Sequence, residues 1–263
     1  MAPAVVFFHA HPDDEAIFTG GTIARLSDAG HRVVVIVATG GELGLPSPIV
    51  AGPITSDKQG PLARVRQHET ERAAALLGVA AVHFLGYRDS GLAGDPANEA
   101  AGSLWTADPA DVAVPVAAIL RREQAAALVV YDEFGIYGHP DHLQVHRAGL
   151  LAAAGAGTPT VYEATVDREY LHFVETHLVE EAILAGDLGL ARSNIGVPSV
   201  MVTTTISVSA VLDRKRAAMG AHASQIPETT SALQIGMEQF AAVYGWEWFV
   251  RRGPWGALDD LGE

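Results

Sequence analysis

The sequence has no cysteine. Disulfides, thiolate-held zinc, iron–sulfur clusters and thiol nucleophiles are therefore excluded, and any metal must be held by histidine and carboxylate. Basic residues are also scarce: 17 Lys and Arg stand against 31 Asp and Glu, a formal charge of −14. Binding a nucleic-acid backbone or an anionic membrane surface needs a basic patch, so neither is an expected partner. Long apolar runs are missing as well. Arg121, Arg122 and Glu123 interrupt the longest candidate, and no membrane span is expected. The first residues, Met1-Ala2-Pro3-Ala4-Val5-Val6, lack a basic start, and His9, His11, Asp13 and Asp14 follow at once. That excludes a signal-peptide reading, and a cytoplasmic location is expected.

What remains has ordinary globular composition. Of 263 residues, 49% are hydrophobic and 18% charged, which leaves no room for a disordered class. A chain of this length buries about three quarters of its unfolded surface and needs no covalent staple. No repeat or low-complexity linker divides it, so residues 1–263 are read as a single domain.

Apolar periodicity then gives an alternation of strands and helices. Val5–Phe8 is a short strand-like run, Glu15–Ala29 carries helical spacing, and Arg32–Ala38 is a continuous buried-type strand. The pattern continues with a helix over Leu62–Leu77, a strand at Val79–Leu85 and a helix over Ala110–Glu123. A strand at Ala126–Tyr131, a helix from Pro140 and a strand at Pro159–Thr165 follow. Ser199–Ile206 reads as a further strand and Ala210–Ala223 as a helix. This is an α/β chain with a Rossmann-like, mostly parallel sheet and helices on both faces. In such sheets ligands sit at the carboxyl ends of the strands. The segments Leu43–Pro61 and Gly86–Asp108, rich in Gly, Pro and Ser, read as functional loops.

Two strand ends carry the same tripeptide. His11-Pro12-Asp13 follows the first strand and continues into Asp14 and Glu15; His139-Pro140-Asp141 lies beyond the Ala126–Tyr131 strand and continues into His142. With 11 His, 14 Pro and 15 Asp, chance supplies only about 0.03 copies of His-Pro-Asp. Proline suits the first turn of a helix, so each His precedes a helix and the residue three later lies one turn in. His11 with Asp14 is thus a chelating pair, and His142 supplies a nitrogen from across the sheet. Two histidines, one carboxylate and an open fourth position form a catalytic zinc ligand set. Asp13, left uncoordinated, could take a proton from the attacking water, while His139 could face the substrate from the opposite side.

Other chemistries find no support. The position after the first strand holds HPDDE where a dinucleotide site needs GxGxxG, and neither a P-loop nor a GxSxG elbow is present. His142 and His146 share the spacing of a zincin helix, but Leu143 stands where that motif needs Glu, so His146 reads as a packing residue. His31, His83, His172 and His177 are lone histidines and read as structural.

The residues resemble the PIG-L/LmbE-like family of zinc-dependent N-deacetylases. The matching stretches are Ala10–Glu15 (AHPDDE), Thr39–Gly44 (TGGELG), Arg64–Glu69 with Ala73–Gly78, Gly86–Gly91 (GYRDSG), Tyr137–His142 (YGHPDH), and Lys215 with Ala221–Gln225 (AHASQ). The resemblance implies His11, Asp14 and His142 as ligands of one Zn²⁺, with another divalent ion such as Fe²⁺ as an alternative. It implies Asp13 as general base, His139 as oxyanion stabiliser or acid for the leaving amine, and Asp141 as the residue that orients His139. Tyr137 would help polarise the amide. Arg66 and Asp89 match positions that hold sugar hydroxyls or a phosphate, with Glu42 on the neighbouring loop.

The expected activity is hydrolysis of an N-acetyl group on an amino-sugar conjugate, a small-molecule amide of the N-acetylglucosamine type. The first alternative keeps the metal and changes the reaction, to hydration of an unsaturated dicarboxylic acid. A non-enzymatic metal- or sugar-binding module is a second alternative, against which Asp13 argues, because a pure binding site gains nothing from an unliganded carboxylate. A homo-oligomer is compatible with the sequence. Residues 168–197 and the aromatic tail with Trp246, Trp248 and Trp255 carry no assigned chemistry.

Overall fold

The computed structural model describes residues 3–44, 60–177, 195–226 and 230–262. Seven strands form one sheet: β1 (Ala4–His9), β2 (Arg32–Thr39), β3 (Ala81–Tyr87), β4 (Ala125–Tyr131), β5 (Thr160–Thr165), β6 (Thr204–Ser207) and β7 (Trp246–Arg252). Their order across the sheet is β3-β2-β1-β4-β5-β7-β6. The first five pair in parallel, and β7 runs antiparallel to both β5 and β6. Every residue of β1 is buried, because helices cover both faces of the sheet. Val5, Phe7, Val33 and Val35 enter one apolar core; Val6, Phe8, Val34 and Ile36 enter the other. The period-two alternation of side chains along each strand produces that division.

The helices begin and end where local chemistry requires. Those labelled here are α1 (Asp14–Phe18), α2 (Gly20–Asp28), α3 (Pro61–Leu77), α4 (Pro109–Glu123), α5 (Gly135–Gly138), α6 (Pro140–Ala156), α7 (Arg168–His177) and α8 (Leu212–Ala221). Pro61, Pro109 and Pro140 each stand in a first turn, where the missing N–H costs nothing. The Asp108 carboxylate caps α4 by accepting from the Ala110 N–H at 2.8 Å. Gly78 closes α3 with φ 80°, a left-handed conformation that a side chain would resist. Among the described residues, no helix is long and apolar enough to cross a membrane.

Two sequence expectations are corrected. The helix expected over Glu15–Ala29 is two helices, broken at Thr19 (φ −136°). The Thr19 hydroxyl donates back to the Glu15 carbonyl and meets His9 Nε2 at 3.0 Å. The Gly21 and Thr22 N–H groups then donate to the Glu247 carboxylate, each at 2.8 Å, and buried Lys215 pairs with that carboxylate at 2.7 Å. Ser199–Ile206 is not a continuous strand: Ser199–Met201 makes a 3₁₀ turn and only Thr204–Ser207 joins the sheet. The Ser199 hydroxyl donates to Asp167 and Glu169, which holds the stretch away from the ladder. The aromatic tail supplies β7, which inserts between β5 and β6 and buries Trp248 and Phe249, whereas Trp255 stays exposed. Within 168–197, residues 178–194 lie outside those described, and so do residues 45–59 of the Leu43–Pro61 loop.

The strand order reverses between β1 and β4. β1 is followed in sequence by a crossover to one side, β4 by one to the other, so a crevice opens beyond their carboxyl ends. The two His-Pro-Asp motifs lie at that crevice.

Candidate active site and metal centre

Asp13 stands at the N-terminus of α1 with φ 103°, a left-handed backbone for a residue that carries a Cβ. Such a conformation costs about 1–3 kcal/mol and persists only when its surroundings hold it. They do so from three sides. The Asp13 carbonyl accepts from the Ala16 and Ile17 N–H groups, both at 3.0 Å, and the Asp13 N–H donates to Glu15 Oε2 at 3.0 Å. Arg66, delivered by α3, lies 3.2 Å from Asp13 Oδ2 and donates to the Pro12 and Gly41 carbonyls.

One turn in, Asp14 gathers partners on a single oxygen. Its Oδ2 accepts from the His11 N–H at 2.8 Å and the Tyr131 hydroxyl at 2.7 Å. The same atom lies 3.3 Å from His11 Nδ1 and 3.5 Å from His142 Nε2. The three residues read as ligands from the sequence thus meet. His142 is fully buried, stacked on the Tyr131 ring at 4.0 Å, and neither of its nitrogens has a hydrogen-bond partner among the described residues. A buried imidazole left unpaired is costly unless something else takes its lone pair, and a metal does so. The donor set therefore fits a divalent ion.

The opposite edge of His11 explains its orientation. Asp141 Oδ2 faces His11 Nε2 at 3.1 Å and also accepts from the Ser90 N–H, while Asp141 Oδ1 accepts from the Ser90 hydroxyl at 2.5 Å. With Nε2 donating to a carboxylate, Nδ1 is the nitrogen that faces Asp14 and His142, and its lone pair would be the one offered to a metal, as in carboxylate–histidine–metal arrangements. Asp141 also meets His139, the residue it is expected to orient, though not through its carboxylate. The Asp141 carboxylate is committed to His11 and Ser90, and Asp141 reaches His139 through its backbone N–H, which donates to His139 Nδ1 at 3.1 Å. Nitrogens of His11, His139 and His142 lie within 4.8 Å of one another, as do donor atoms of His11, Asp89 and Asp141.

Charge around this cluster is that of a cation site. Burial disfavours charge on His11, yet Asp89, Asp14 and Asp141 outweigh it and raise its pKa well above the ordinary value. Burial likewise opposes a charged Asp14, but His142 and His11 hold its carboxyl well below the ordinary range. Asp13 moves the other way: burial raises it to about 6, against the pull of Arg66. His139 is pushed down to about 2 by burial and by His11 and His142, so it is neutral at physiological pH. Because its Nδ1 accepts from Asp141, the remaining proton sits on Nε2, making the ring a hydrogen-bond donor without being an acid. Burial, and then Asp14, keeps the Tyr137 phenol protonated, its pKa well above the ordinary value.

A cavity of about 380 Å³ opens over these residues, lined by His11, Asp13, Asp14, Tyr137 and His139 and by Arg66, Asp89 and Gln225. That volume suits a small molecule. Leu43 and Gly44, the described start of the Leu43–Pro61 loop, also line it. Tyr137 is presented by a tight turn in which Ile136 has φ 62° and Asp132 Oδ1 accepts from the Phe134 and Ile136 N–H groups. Glu42 is buried, and its Oε1 accepts from the Asp89 N–H at 3.1 Å. It therefore braces the Asp89 loop rather than facing the cavity. His146 turns away from the centre, with Nδ1 3.0 Å from the Tyr131 carbonyl.

Sequence reasoning passed over His9 and Tyr131. His9 Nδ1 meets the Tyr131 hydroxyl at 3.2 Å, which completes a chain from Thr19 through His9 and Tyr131 to Asp14. Burial lowers the His9 pKa to about 4, so the ring is neutral in the folded state. Unfolded, it titrates near 6.5, and its contribution to stability is present above that pH and lost as pH falls toward 4. The full difference corresponds to about 3 kcal/mol. Urea unfolding at pH 7.5 and 4.5 is expected to show a smaller acid loss in His9→Gln than in wild type. An equal loss in both proteins would contradict this.

The family model for GlcNAc-PI de-N-acetylase (PIG-L) matches residues 6–153, the span from β1 through the second His-Pro-Asp motif and most of α6. The chain belongs to the PIG-L family. A 1D-myo-inositol 2-acetamido-2-deoxy-alpha-D-glucopyranoside deacetylase from Thermobifida fusca is 37% identical to this PIG-L member, over 98% of each chain. The deacetylase of the same description from Thermomonospora curvata is 35% identical, over 91% of this chain and 88% of its own. Among solved structures, N,N'-diacetylchitobiose deacetylase from Pyrococcus horikoshii shares 25% identity and a TM-score of 0.58, covering 96% of this chain and 84% of its own. A 4-carboxy-2-hydroxymuconate hydratase from Pseudomonas putida, at 21% identity and TM-score 0.59, shows the same fold. Fold alone therefore does not separate amide hydrolysis from hydration.

Proposed function

We propose that this PIG-L member is a zinc-dependent N-deacetylase that hydrolyses the acetamide of an N-acetylglucosamine-type conjugate. An inositol glycoside is the leading substrate, because that is the compound in the names of the relatives at 35–37% identity. The observation that carries the reading is the pairing of an uncoordinated carboxylate, Asp13, with three converging ligand side chains, His11, Asp14 and His142. Two imidazoles and one carboxylate are donors that suit zinc, with Fe(II) as the alternative. The bound ion supplies Lewis acidity, activating water and polarising the amide carbonyl.

The remaining chemistry belongs to the chain. Arg66 engages Asp13 Oδ2, which leaves Oδ1 to take the proton of the attacking water. A carboxyl raised to about 6 is close to the pKa best suited to a general base at neutral pH. Neutral His139 donates from Nε2 to the developing oxyanion, assisted by the Tyr137 hydroxyl; one such donor contributes ~10²–10³ in rate. An imidazole with its pKa near 2 has no second proton to give. Asp13 therefore carries the proton onward to the leaving amine, so that acetate and a primary amine depart. Arg66 and Asp89, on the cavity wall, orient the sugar, and Glu42 holds the Asp89 loop in place. We place the reaction in the cytoplasm.

The test offers the zinc-loaded chain the inositol N-acetylglucosaminide and, separately, an unsaturated dicarboxylic acid. Equimolar acetate and primary amine from the first, with unchanged absorbance of the second, is the expected result. Loss of double-bond absorbance without amine release from any acetamide would replace the reading with hydration.

A further inference from the structure

Glu15 closes the AHPDDE motif, and its side chain is fully buried beneath Asp13. Its two oxygens have different partners. Oε2 accepts from the Asp13 N–H at 3.0 Å, and Oε1 lies 2.6 Å from Nε2 of His222, which is also fully buried. A buried carboxylate needs a cationic or donor partner to stay in place, and His222 is that partner. Nothing among the described residues bonds His222 Nδ1, so the ring's polar contact is spent on Glu15 alone.

His222 is itself rigidly held. It follows α8 in a turn whose Gln225 and Ile226 N–H groups donate to the His222 carbonyl at 2.9 and 2.8 Å. Ser224 in that turn donates through its N–H and hydroxyl to Glu69, on the same helix that delivers Arg66 to the Asp13 carboxylate. One helix thus braces both supports of Asp13: Arg66 at its side chain and, through Ser224 and the His222 turn, Glu15 at its backbone. Asp13 requires such support because its φ of 103° is one that an unbraced aspartate would leave.

We propose that His222 is a positioning residue for the general base, acting through Glu15 to hold the left-handed Asp13 backbone and so aim its carboxylate. The inference rests on the reading of Asp13 as base. It concerns a residue that does not line the cavity and touches no candidate ligand.

The test is a mutant cycle on the zinc-loaded protein, with the inositol N-acetylglucosaminide as substrate. His222→Leu removes the donor, and the loss of an outer support of this kind lowers kcat by roughly 10–100-fold. KM and zinc content are expected to stay at wild-type values. His222→Gln, which restores an N–H toward Glu15, is expected to recover part of kcat. In an Asp13→Asn background the same His222→Leu change is expected to have almost no further effect, since there is no base left to aim. A His222→Leu penalty of equal size in both backgrounds, or one accompanied by zinc loss, would overturn the proposal. If His222→Leu does not fold, Glu15→Ala in the same cycle answers the question, with the same two outcomes. Wild type that releases amine while the cycle is additive refutes the positioning role alone; wild type that cleaves no acetamide refutes the reading beneath it.

Discussion

Asp13→Asn is expected to lower kcat by about 10²–10⁴-fold while bound zinc stays at one per chain. The substitution keeps the shape of the side chain and its contact with Arg66 but removes the capacity to accept a proton. Asp13 is not among the three side chains that converge as ligands, which is why metal content should be untouched. The result separates a base from a ligand. It also separates an enzyme from a binding module, whose properties the change would leave intact. Elemental analysis and the amine-release rate on the same preparation read both quantities. Loss of zinc in Asp13→Asn would move Asp13 into the ligand set, and an unchanged kcat would remove it from the chemistry.

The second large effect belongs to His142. His142→Ala is expected to abolish zinc retention and amine release together, because the ring is fully buried and neither nitrogen has a hydrogen-bond partner among the described residues. Wild type should also gain thermal stability from added zinc, about 2.7 kcal/mol at a hundredfold excess over Kd, since only the folded chain assembles the site. The variant should gain none. Its zinc-free form is expected to melt lower as well, because alanine leaves a void against the Tyr131 ring stacked at 4.0 Å. Zinc retained at wild-type stoichiometry by His142→Ala would shift the third ligand to another group, such as His139, whose nitrogen lies within 4.8 Å of that of His11.

The parts of this molecule that could be read from sequence are those in which one local pattern has one structural outcome. The apolar runs at Val5–Phe8 and Arg32–Ala38 became adjacent central strands, and Pro140 opened a helix as its fixed φ requires. The paired His-Pro-Asp motifs meet at the candidate metal centre because each lies beyond a strand's carboxyl end, and the sheet order joins the two. Features that depend on distant partners were not legible. The break at Thr19 involves Glu247, more than 200 residues away, and β7 takes its place by pairing with β5, which is distant in sequence. The partners of the Asp141 carboxylate were hidden for the same reason: Ser90 and His11, which claim it, are not placed beside it by the sequence. His222 lay in a stretch already noticed, but its contact with Glu15 spans 207 positions. Tyr131 gave no signal beyond an apolar strand end, although its hydroxyl donates to Asp14 and its ring stacks on His142.

Whether a metal held by His11, Asp14 and His142 drives amide hydrolysis is tested most directly by following amine release from the inositol N-acetylglucosaminide through chelator dialysis and stepwise return of zinc. Activity is expected to vanish with the metal and to return in proportion to zinc up to one equivalent per chain. Undiminished amine release from metal-free protein would contradict that expectation.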